Sequence, residues 1–194
     1  LTKSGLFGAI LPVVARDPAA DAFVIGIPVA GAAYDVEAFA RDTATFAEAT
    51  GKPTIAAVNG PAMGLGCDMA LCCDFIVASE TAVFAMSFIH RGLVSDGGGL
   101  YFLPRRVGLP RAKELIFTGR SVAAPEALAI GLADRVASPE TLLAEAQAWA
   151  VELSHGSAAA LALTKSILDR TFELPEEQVF ALGREAQAIS YTTR

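Results

Sequence analysis

Apolar and polar positions follow two different spacings along the first eighty residues. The run AFVIGIPV (22–29) is continuously apolar and rich in β-branched residues, which is typical of a strand covered on both faces. Apolar positions in 36–51 recur near helical spacing, which predicts a helix. TIAAVNG (54–60) and FIVAS (75–79) predict two more buried strands, with a helix at about 67–73 between them. This alternation predicts an α/β fold with right-handed parallel crossovers.

The chain after residue 100 has a mostly helical pattern. Ser138 and Pro139 are residue types of a helix N-cap and first turn, and glycines end the earlier helical segments. No internal repeat or low-complexity linker separates this part, so we expect residues 138–194 to form a helical carboxyl-terminal region on an α/β core of residues 1–137. The predicted elements are helices at 110–119, 124–131, 138–153, 157–172 and 175–190, and a short strand near Arg135–Val136.

Length and composition are those of one domain with a deep core. The chain has 194 residues, 53% of them hydrophobic, which exceeds the usual average and is spread along the whole length. The longest uncharged run, between Lys52 and Asp68, is interrupted by two prolines and an asparagine, which argues against a membrane-spanning helix. No signal or basic transit segment opens the sequence, so a cytoplasmic protein is expected. Because the sequence begins at Leu1, we also expect a trimmed or partial chain.

Charge and cysteine content argue against two further classes of site. The net charge is −6, with acids and bases mixed and no basic tract, so nucleic-acid binding is not expected. The cysteines Cys67, Cys72 and Cys73 form no CxxC pair, and the two histidines stand far from any metal-binding spacing. We therefore expect buried, reduced thiols and no metal site.

A glycine-rich turn follows the strand predicted at 54–60. It reads NGPAMGLGCDMALCCD (59–74) and would place free backbone N–H groups at the start of a helix, where they favour negative charge. The G-K-[ST] ending of a phosphate loop is absent, and so are the third glycine and downstream acid of a dinucleotide fingerprint. Spacing alone favours a simple tight turn.

Two longer segments carry a resemblance to a known family. The first reads KPTIAAVNGPAMGLGCDMALCCDFIVASETAVFAM, and the second reads GLVSDGGGLYFLPRRVGLPRAKELIFTGRSVAAPEALAIGLADRV. Over about residues 51–190 the chain resembles the crotonase superfamily, the enoyl-CoA hydratases and isomerases. The resemblance implies a crotonase (ClpP-like) fold, with a repeated β-β-α-type core and a helical carboxyl-terminal region. It further implies an acyl-CoA thioester substrate, no cofactor besides the coenzyme A of that substrate, and a homotrimer or dimer of trimers.

The same resemblance implies an oxyanion hole, in which two backbone N–H groups stabilise the enolate of the thioester. The implied donors are the N–H of Leu65 and that of Ala32, which lies in VAGAAYD (29–35). The substrate pocket would be formed by residues that surround these turns and the next glycine run: Gly64, Gly66, Phe88 and Gly97.

The acids of the two glycine-rich turns are the implied catalytic groups. Asp68 stands where hydratases of the family carry their first glutamate, but FAMSF places Phe88 where F-x-x-P-E has the second. Two-acid hydration is therefore not expected. GLVSDGGG resembles the GLVPDxG of members that shift double bonds, which implies that Asp96 is the acid/base and Asp68 has a supporting role. A single carboxylate can take a proton from one carbon and return it to another.

Alternatives remain at each of these positions. Burial among Phe84, Phe88, Ile89 and Leu93 would raise the pKa of Asp96, but an aspartate here could also cap a helix that opens at Gly97. His90 is expected to be a structural hydrogen-bonding residue. Candidate contacts for the CoA phosphates are the bases Lys3, Arg41, Lys52, Arg91 and Arg105.

Residues 1–50 do not match the opening of the family and also resemble the flavodoxin-like subdomain of nucleoside-diphosphate-forming acyl-CoA ligases. Three other functions therefore stay open: a hydratase that uses Asp68 through water, a non-catalytic CoA-thioester-binding or oligomerising protein, and a ligase-derived fragment that binds a partner subunit.

Overall fold

The computed structural model of the chain describes residues 13–16, 23–27 and 51–192, with side chains from residue 51 onward. The strands in these ranges are β1 (Val13–Arg16), β2 (Phe23–Ile27), β3 (Thr54–Val58), β4 (Pro61–Met63), β5 (Phe75–Ser79), β6 (Val83–Ala85), β7 (Val122–Ala123) and β8 (Arg135–Ala137). The helices are α1 (Leu65–Leu71), a 3₁₀ helix (Ser87–Arg91), α2 (Gly99–Val107), α3 (Leu109–Thr118), α4 (Ala124–Ala129), α5 (Leu142–Ser154), α6 (Ala158–Leu168) and α7 (Glu176–Thr192).

The strands form two sheets. In the larger sheet the order is β1-β2-β3-β5-β8, with β1 antiparallel to β2 and every other pair parallel. The smaller sheet has the order β4-β6-β7, in which β4 and β6 are parallel and β7 is antiparallel to β6. Along the chain, β3 leads into β4 and α1, and β5 leads into β6 and α2. This is the repeated β-β-α arrangement that the resemblance implied.

The central strands are buried on both faces, which explains why their sequences are continuous apolar runs. On one face, alternate residues such as Ala56 and Ile76 pack in the core that contains α1. On the other face, Ile55 and Val77 pack against α5 through its apolar side, which includes Ala146. Because successive strand residues point to opposite faces, the larger sheet packs against one helical layer on each face.

Most predicted elements of the described residues are present. The strands at 54–60 and 75–79 are β3 and β5, and β2 lies within 22–29, whereas the helix predicted for 36–51 lies outside the described residues except at its last position. The assignment of Pro61–Met63 to a turn was wrong. These residues form β4, because Ala62 is fully buried and pairs with Phe84 of β6.

The helix predicted from Ser138 begins later, at Leu142. Ser138 is instead the first residue of a turn, in which its carbonyl accepts hydrogen bonds from the N–H groups of Thr141 (3.2 Å) and Leu142 (3.0 Å). None of the helices in the described ranges has the length and apolarity needed to cross a membrane.

A partly buried ion pair ties α6 to the larger sheet. The Asp74 carboxylate accepts hydrogen bonds from the backbone N–H (2.7 Å) and the hydroxyl (2.8 Å) of Thr54, at the start of β3. Lys165 of α6, whose side chain is 10% exposed, bonds to the same oxygen of Asp74 and to the Lys52 carbonyl. Since Asp74 directly precedes β5, this cluster joins two strands and a distant helix.

Replacement of Lys165 by methionine should lower the free energy of unfolding by about 2 kcal/mol, because the partly buried Asp74 carboxylate loses the cation that it pairs with. Urea unfolding of Lys165→Met can be compared with Lys113→Met, which removes an exposed lysine from α3. Equal losses in the two variants would contradict the role given to this ion pair.

Candidate active site

The two acid-bearing turns of the sequence meet at the amino-terminal half of α1. Asp68 lies in the first turns of this helix, and its carboxylate faces the loop that precedes α2. The Oδ2 atom accepts a hydrogen bond from Ser95 Oγ at 2.7 Å and another from the N–H of Gly97 at 3.1 Å. The side chain of Asp68 is 0% exposed and Ser95 is 8% exposed. The site is thus built around a carboxylate that is buried inside the chain.

The glycine run after Asp96 has a steric explanation. A Cβ atom at Gly99 would lie 2.1 Å from Oδ1 of Asp68, and one at Gly97 would lie 2.5 Å from Cδ1 of Leu65. Gly98 has a φ of 105°, which side-chain-bearing residues rarely adopt. The backbone therefore packs directly on the α1 turn, and only glycine permits an approach this close.

Burial raises the pKa of the Asp68 carboxyl from 3.8 to about 6, and the charge of Asp96 adds to the rise. The hydrogen bond from Ser95 and the amides of Gly97 and Gly99 act in the opposite direction. Although the Gly99 amide lies near enough to act on the charge, no hydrogen bond of normal geometry reaches the buried Oδ1 from the residues the structure describes. Burial thus makes the charged form of Asp68 unfavourable, and the hydrogen bonds of the carboxylate offset only part of that cost.

Asp96 lies on the exposed side of the same loop. Its predicted burial was wrong: Phe84 is in the core, but Ile89 is 46% and Leu93 53% exposed, so these side chains form no enclosed apolar pocket around the acid. The capping alternative was also wrong. Helix α2 begins at Gly99, its N-cap is Gly98, and no side-chain hydrogen bond caps it.

The turn that was predicted to supply an oxyanion donor is tightly held. Gly64 has a φ of 55° and donates its N–H to the Ala85 carbonyl at 2.8 Å, which joins the turn to β6. Leu65 is the first helical residue of α1, so its N–H belongs to the turn whose amides lack acceptors within the helix. Because Gly64 takes the positive φ, leucine at 65 is compatible with a helical backbone, and Gly66 is buried behind it. Ala32 lies outside the described residues.

An apolar side chain borders this turn. Phe88, in the 3₁₀ helix, is half-buried, and a Cβ atom at Gly64 would lie 3.7 Å from Cζ of its ring. The ring can line a pocket here but cannot exchange a proton. His90, in the same short helix, bonds through Nε2 to the Gly119 carbonyl at 3.0 Å, which confirms its predicted structural role.

A separate cavity of about 520 Å³ lies beside the carboxyl end of α1, and Arg105, Arg106 and Lys165 are among its lining residues. Arg105 pairs with Glu173 and lies over the Tyr101 ring, 3.4 Å from Cζ to the centroid. The other two cations pair with Asp134 and Asp74. As a CoA contact Arg105 stays a prediction, as do half-buried Lys52 and exposed Arg91, while Lys3 and Arg41 lie outside the described residues.

All three cysteines are buried and free of disulfides, which confirms the prediction of buried, reduced thiols. Burial raises the pKa of the Cys67 thiol well above its usual range and that of Cys73 to about 12. Both thiols are therefore protonated and unreactive at neutral pH.

Ser95 is the residue of this site that sequence reasoning left out, and it bonds directly to Asp68. The signal was present, because serine stands where the GLVPDxG motif has proline, and only serine offers a side-chain donor. Its partner Asp68 lies 27 residues away, so the contact becomes visible only in the folded chain.

Comparison with known proteins gives one consistent result. A family model described as enoyl-CoA hydratase/isomerase matches residues 37–193. A probable enoyl-CoA hydratase of Mycobacterium avium is 40% identical over 144 residues, which are 74% of this chain and 56% of that protein. A crotonyl-CoA hydratase of Syntrophomonas wolfei is 35% identical over 147 residues, 76% of this chain and 56% of that protein. The chain thus spans about half the length of the curated relatives it matches.

Solved structures agree. An enoyl-CoA hydratase/isomerase from Cupriavidus metallidurans superposes with a TM-score of 0.74 at 39% identity and covers 81% of this chain and 60% of that one. An enoyl-CoA hydratase from Bacillus anthracis gives a TM-score of 0.82 over 94% of this chain and 92% of that one; at 22% identity this likeness shows the fold alone. These superpositions confirm the predicted crotonase fold.

The raised pKa of Asp68 predicts how stability depends on pH. Protonated Asp68 stabilises the folded chain below the unfolded pKa of 3.8, and this stabilisation is lost as the pH rises through about 6. Asp68→Asn removes the titration, so its stability relative to the natural chain should increase by about 2–3 kcal/mol between pH 4 and pH 8. Urea unfolding at several pH values measures this difference.

Glu140→Gln is the matched control, because it also converts an acid to its amide, but at an exposed position outside the site; it should not reproduce the change expected for Asp68→Asn. Parallel pH curves for Asp68→Asn and the natural chain would show that Asp68 is not the titrating buried group.

Proposed function

The chain belongs to the enoyl-CoA hydratase/isomerase family of the crotonase superfamily, and on that premise we propose that it is an enzyme that binds an acyl-CoA thioester and shifts a double bond. The observation that carries the proposal is the exposure of the two acids: Asp96 is exposed at the loop, whereas Asp68 is fully buried. One carboxylate within reach of a substrate is sufficient for proton transfer between two carbons.

In the proposed reaction Asp96 takes a proton from the carbon next to the thioester carbonyl. The electrons of the broken C–H bond move into a dienolate, whose negative oxygen is stabilised by backbone N–H groups. Leu65 supplies one donor, and Ala32 is proposed for the other. Asp96 then returns the proton to the far carbon of the allylic system. The double bond has moved, and no water has been added.

The surroundings of Asp96 favour this reaction over two-acid hydration. Addition of water requires one group to deprotonate the water and a path for a proton to the neighbouring carbon. Phe88 stands by the Gly64 turn where the family motif has its second glutamate, and its ring cannot serve either step. The Oδ2 atom of Asp68 is already engaged by Ser95 and Gly97. The proposed role of Asp68 is accordingly to support the loop.

A hydratase is the second candidate, and two observations favour it. The similar proteins of M. avium and S. wolfei carry hydratase names. In addition, the Oδ1 atom of Asp68 has no hydrogen bond among the described residues, and the pKa of this carboxyl is raised to about 6, a value suited to exchange of a proton with water. This reaction would require the loop at 95–99 to open and admit water.

The proposed assembly is a homotrimer or a dimer of trimers formed through the carboxyl-terminal helices. Helix α7 has no buried residue, and apolar side chains on it, among them Phe180, Ile189 and Tyr191, are exposed. Such side chains on a solvent-facing helix suit a contact between subunits. Coenzyme A would enter as part of the substrate, with no other cofactor.

Substitution of each acid by its amide separates the two candidates. Asp96→Asn should lower kcat for a 3-enoyl-CoA ester at least about 100-fold, because the amide cannot accept the proton, while binding of the ester stays within about twofold. Steady-state kinetics and calorimetric titration measure the two quantities. Glu140→Gln, which neutralises an exposed acid outside the site, controls for the loss of charge.

A different pattern would contradict the assignment. Full turnover by Asp96→Asn, together with loss of turnover in Asp68→Asn, would favour the hydratase. Failure of the natural chain to bind any acyl-CoA ester would exclude both enzymes and leave a partner-binding role.

A further inference from the structure

Ser95 gives this chain a hydrogen bond that the GLVPDxG motif lacks. Proline at that position has no side-chain donor, whereas Ser95 donates its hydroxyl to Asp68 Oδ2 at 2.7 Å. Donor and acceptor are both buried, so the bond forms where water does not compete and where a charge-assisted hydrogen bond is strong. A strong buried hydrogen bond directly beside Asp96 raises the question of what it does for that residue.

The backbone around Asp96 shows what the bond holds. Ser95 and Gly97 are the two chain neighbours of Asp96, and both donate to the same oxygen of Asp68. The segment that carries Asp96 is therefore hydrogen-bonded on both sides of this residue to one buried atom of α1, Oδ2 of Asp68. The Gly97 carbonyl also accepts a weak hydrogen bond from Cys72 Sγ at 3.5 Å, which fixes the same segment from a second point on the chain.

We propose that Ser95 is a positioning residue, whose hydrogen bond to Asp68 fixes the segment that carries Asp96 for proton transfer. The proposal rests on the function proposed above. Ser95 does not contact the substrate; it acts through Asp68 and the backbone. Without the hydroxyl, the Gly97 amide is the one donor to Oδ2 that remains among the described residues, and the segment loses its hydrogen bond on the amino-terminal side of Asp96.

The ionisable neighbours of Asp68 determine how the bond depends on pH. The charge that acts on it from the loop is Asp96, which raises its pKa. On α1 the adjacent thiol of Cys67 stays protonated, because burial and the charge of Asp68 raise its own pKa. Met86, which directly follows β6 and faces Gly99, has no ionisable group. Loss of the Ser95 hydroxyl removes a group that lowers the pKa of Asp68, so the carboxyl should take up a proton at higher pH.

The experiment compares Ser95→Ala with Ser95→Thr in the full chain. Carbon-13 NMR of labelled aspartate carboxyls gives the titration of Asp68, with the signal assigned by its loss in Asp68→Asn. The midpoint should rise by roughly one pH unit or more in Ser95→Ala, because a charge-assisted hydrogen bond is lost, and should stay at the natural value in Ser95→Thr. Hydrogen exchange of the Gly97 amide should quicken in the alanine variant only.

Kinetics of the same variants test the positioning role. At neutral pH kcat of Ser95→Ala should fall about 10- to 100-fold with KM within about twofold, since a displaced base slows the chemical step more than binding. The acid limb of kcat should move upward with the titration of Asp68. Ser166→Ala, which removes an exposed hydroxyl from α6, should change none of these quantities.

Two results would overturn the inference: an unchanged Asp68 titration in Ser95→Ala, or a changed titration with unchanged Gly97 exchange and unchanged kcat. The failure of the proposed function looks different. A natural chain that isomerises no ester would remove the proposed reaction, but the shifted titration and faster Gly97 exchange of Ser95→Ala would still establish that Ser95 fixes this segment.

Discussion

The carboxylate of Asp68 lies inside the chain, and much of the site follows from that constraint. A buried charge is tolerated only if donors surround it, and here the donors come from a second segment 27 residues further on. The segment must approach as bare backbone, which explains the three glycines that follow Asp96; the last of them, Gly99, is the first residue of α2. The compensation is incomplete, because Oδ1 has no hydrogen bond among the described residues, and burial raises the pKa of the carboxyl to about 6. Asp68 is therefore hydrogen-bonded to the loop, and Asp96 is exposed on that loop.

The fold brings these two segments together through its repeated unit. Strands β3 and β5 of the larger sheet each continue into a short strand of the smaller sheet and then toward a helix, so the turns before α1 and α2 lie side by side. A second charged cluster acts at the other end of α1. There Asp74 joins Thr54 of β3 to Lys165 of α6, which attaches the carboxyl-terminal helices to the same sheet. A polar cluster around Asp68 and another around Asp74 thus lie at opposite ends of the apolar helix α1.

Sequence predicted the parts of this arrangement that depend on local pattern. The strands β3 and β5 were predictable because both faces are buried and their residues are continuously apolar. The strands β4, β6 and β7 were not delimited, since two or three residues are too few to show a period. The family resemblance identified Asp68 and Asp96 as candidate acids, but the burial of each could not be predicted from the residues next to it in the sequence. The apolar side chain of Leu93 is exposed to solvent because its loop lies on the surface. The short polar side chain of Asp68 is buried because a segment distant in sequence covers it.

In the proposed mechanism the exposed Asp96 transfers the proton and the buried Asp68 supports the loop that carries it. The most direct measurement is incubation of the chain with 3-enoyl-CoA and 2-enoyl-CoA esters in deuterated water, followed by mass spectrometry of the esters. We expect migration of the double bond or uptake of deuterium, without the added mass of water. A gain of the mass of one water molecule would contradict this proposal and would favour the hydratase in which Asp68 acts through water.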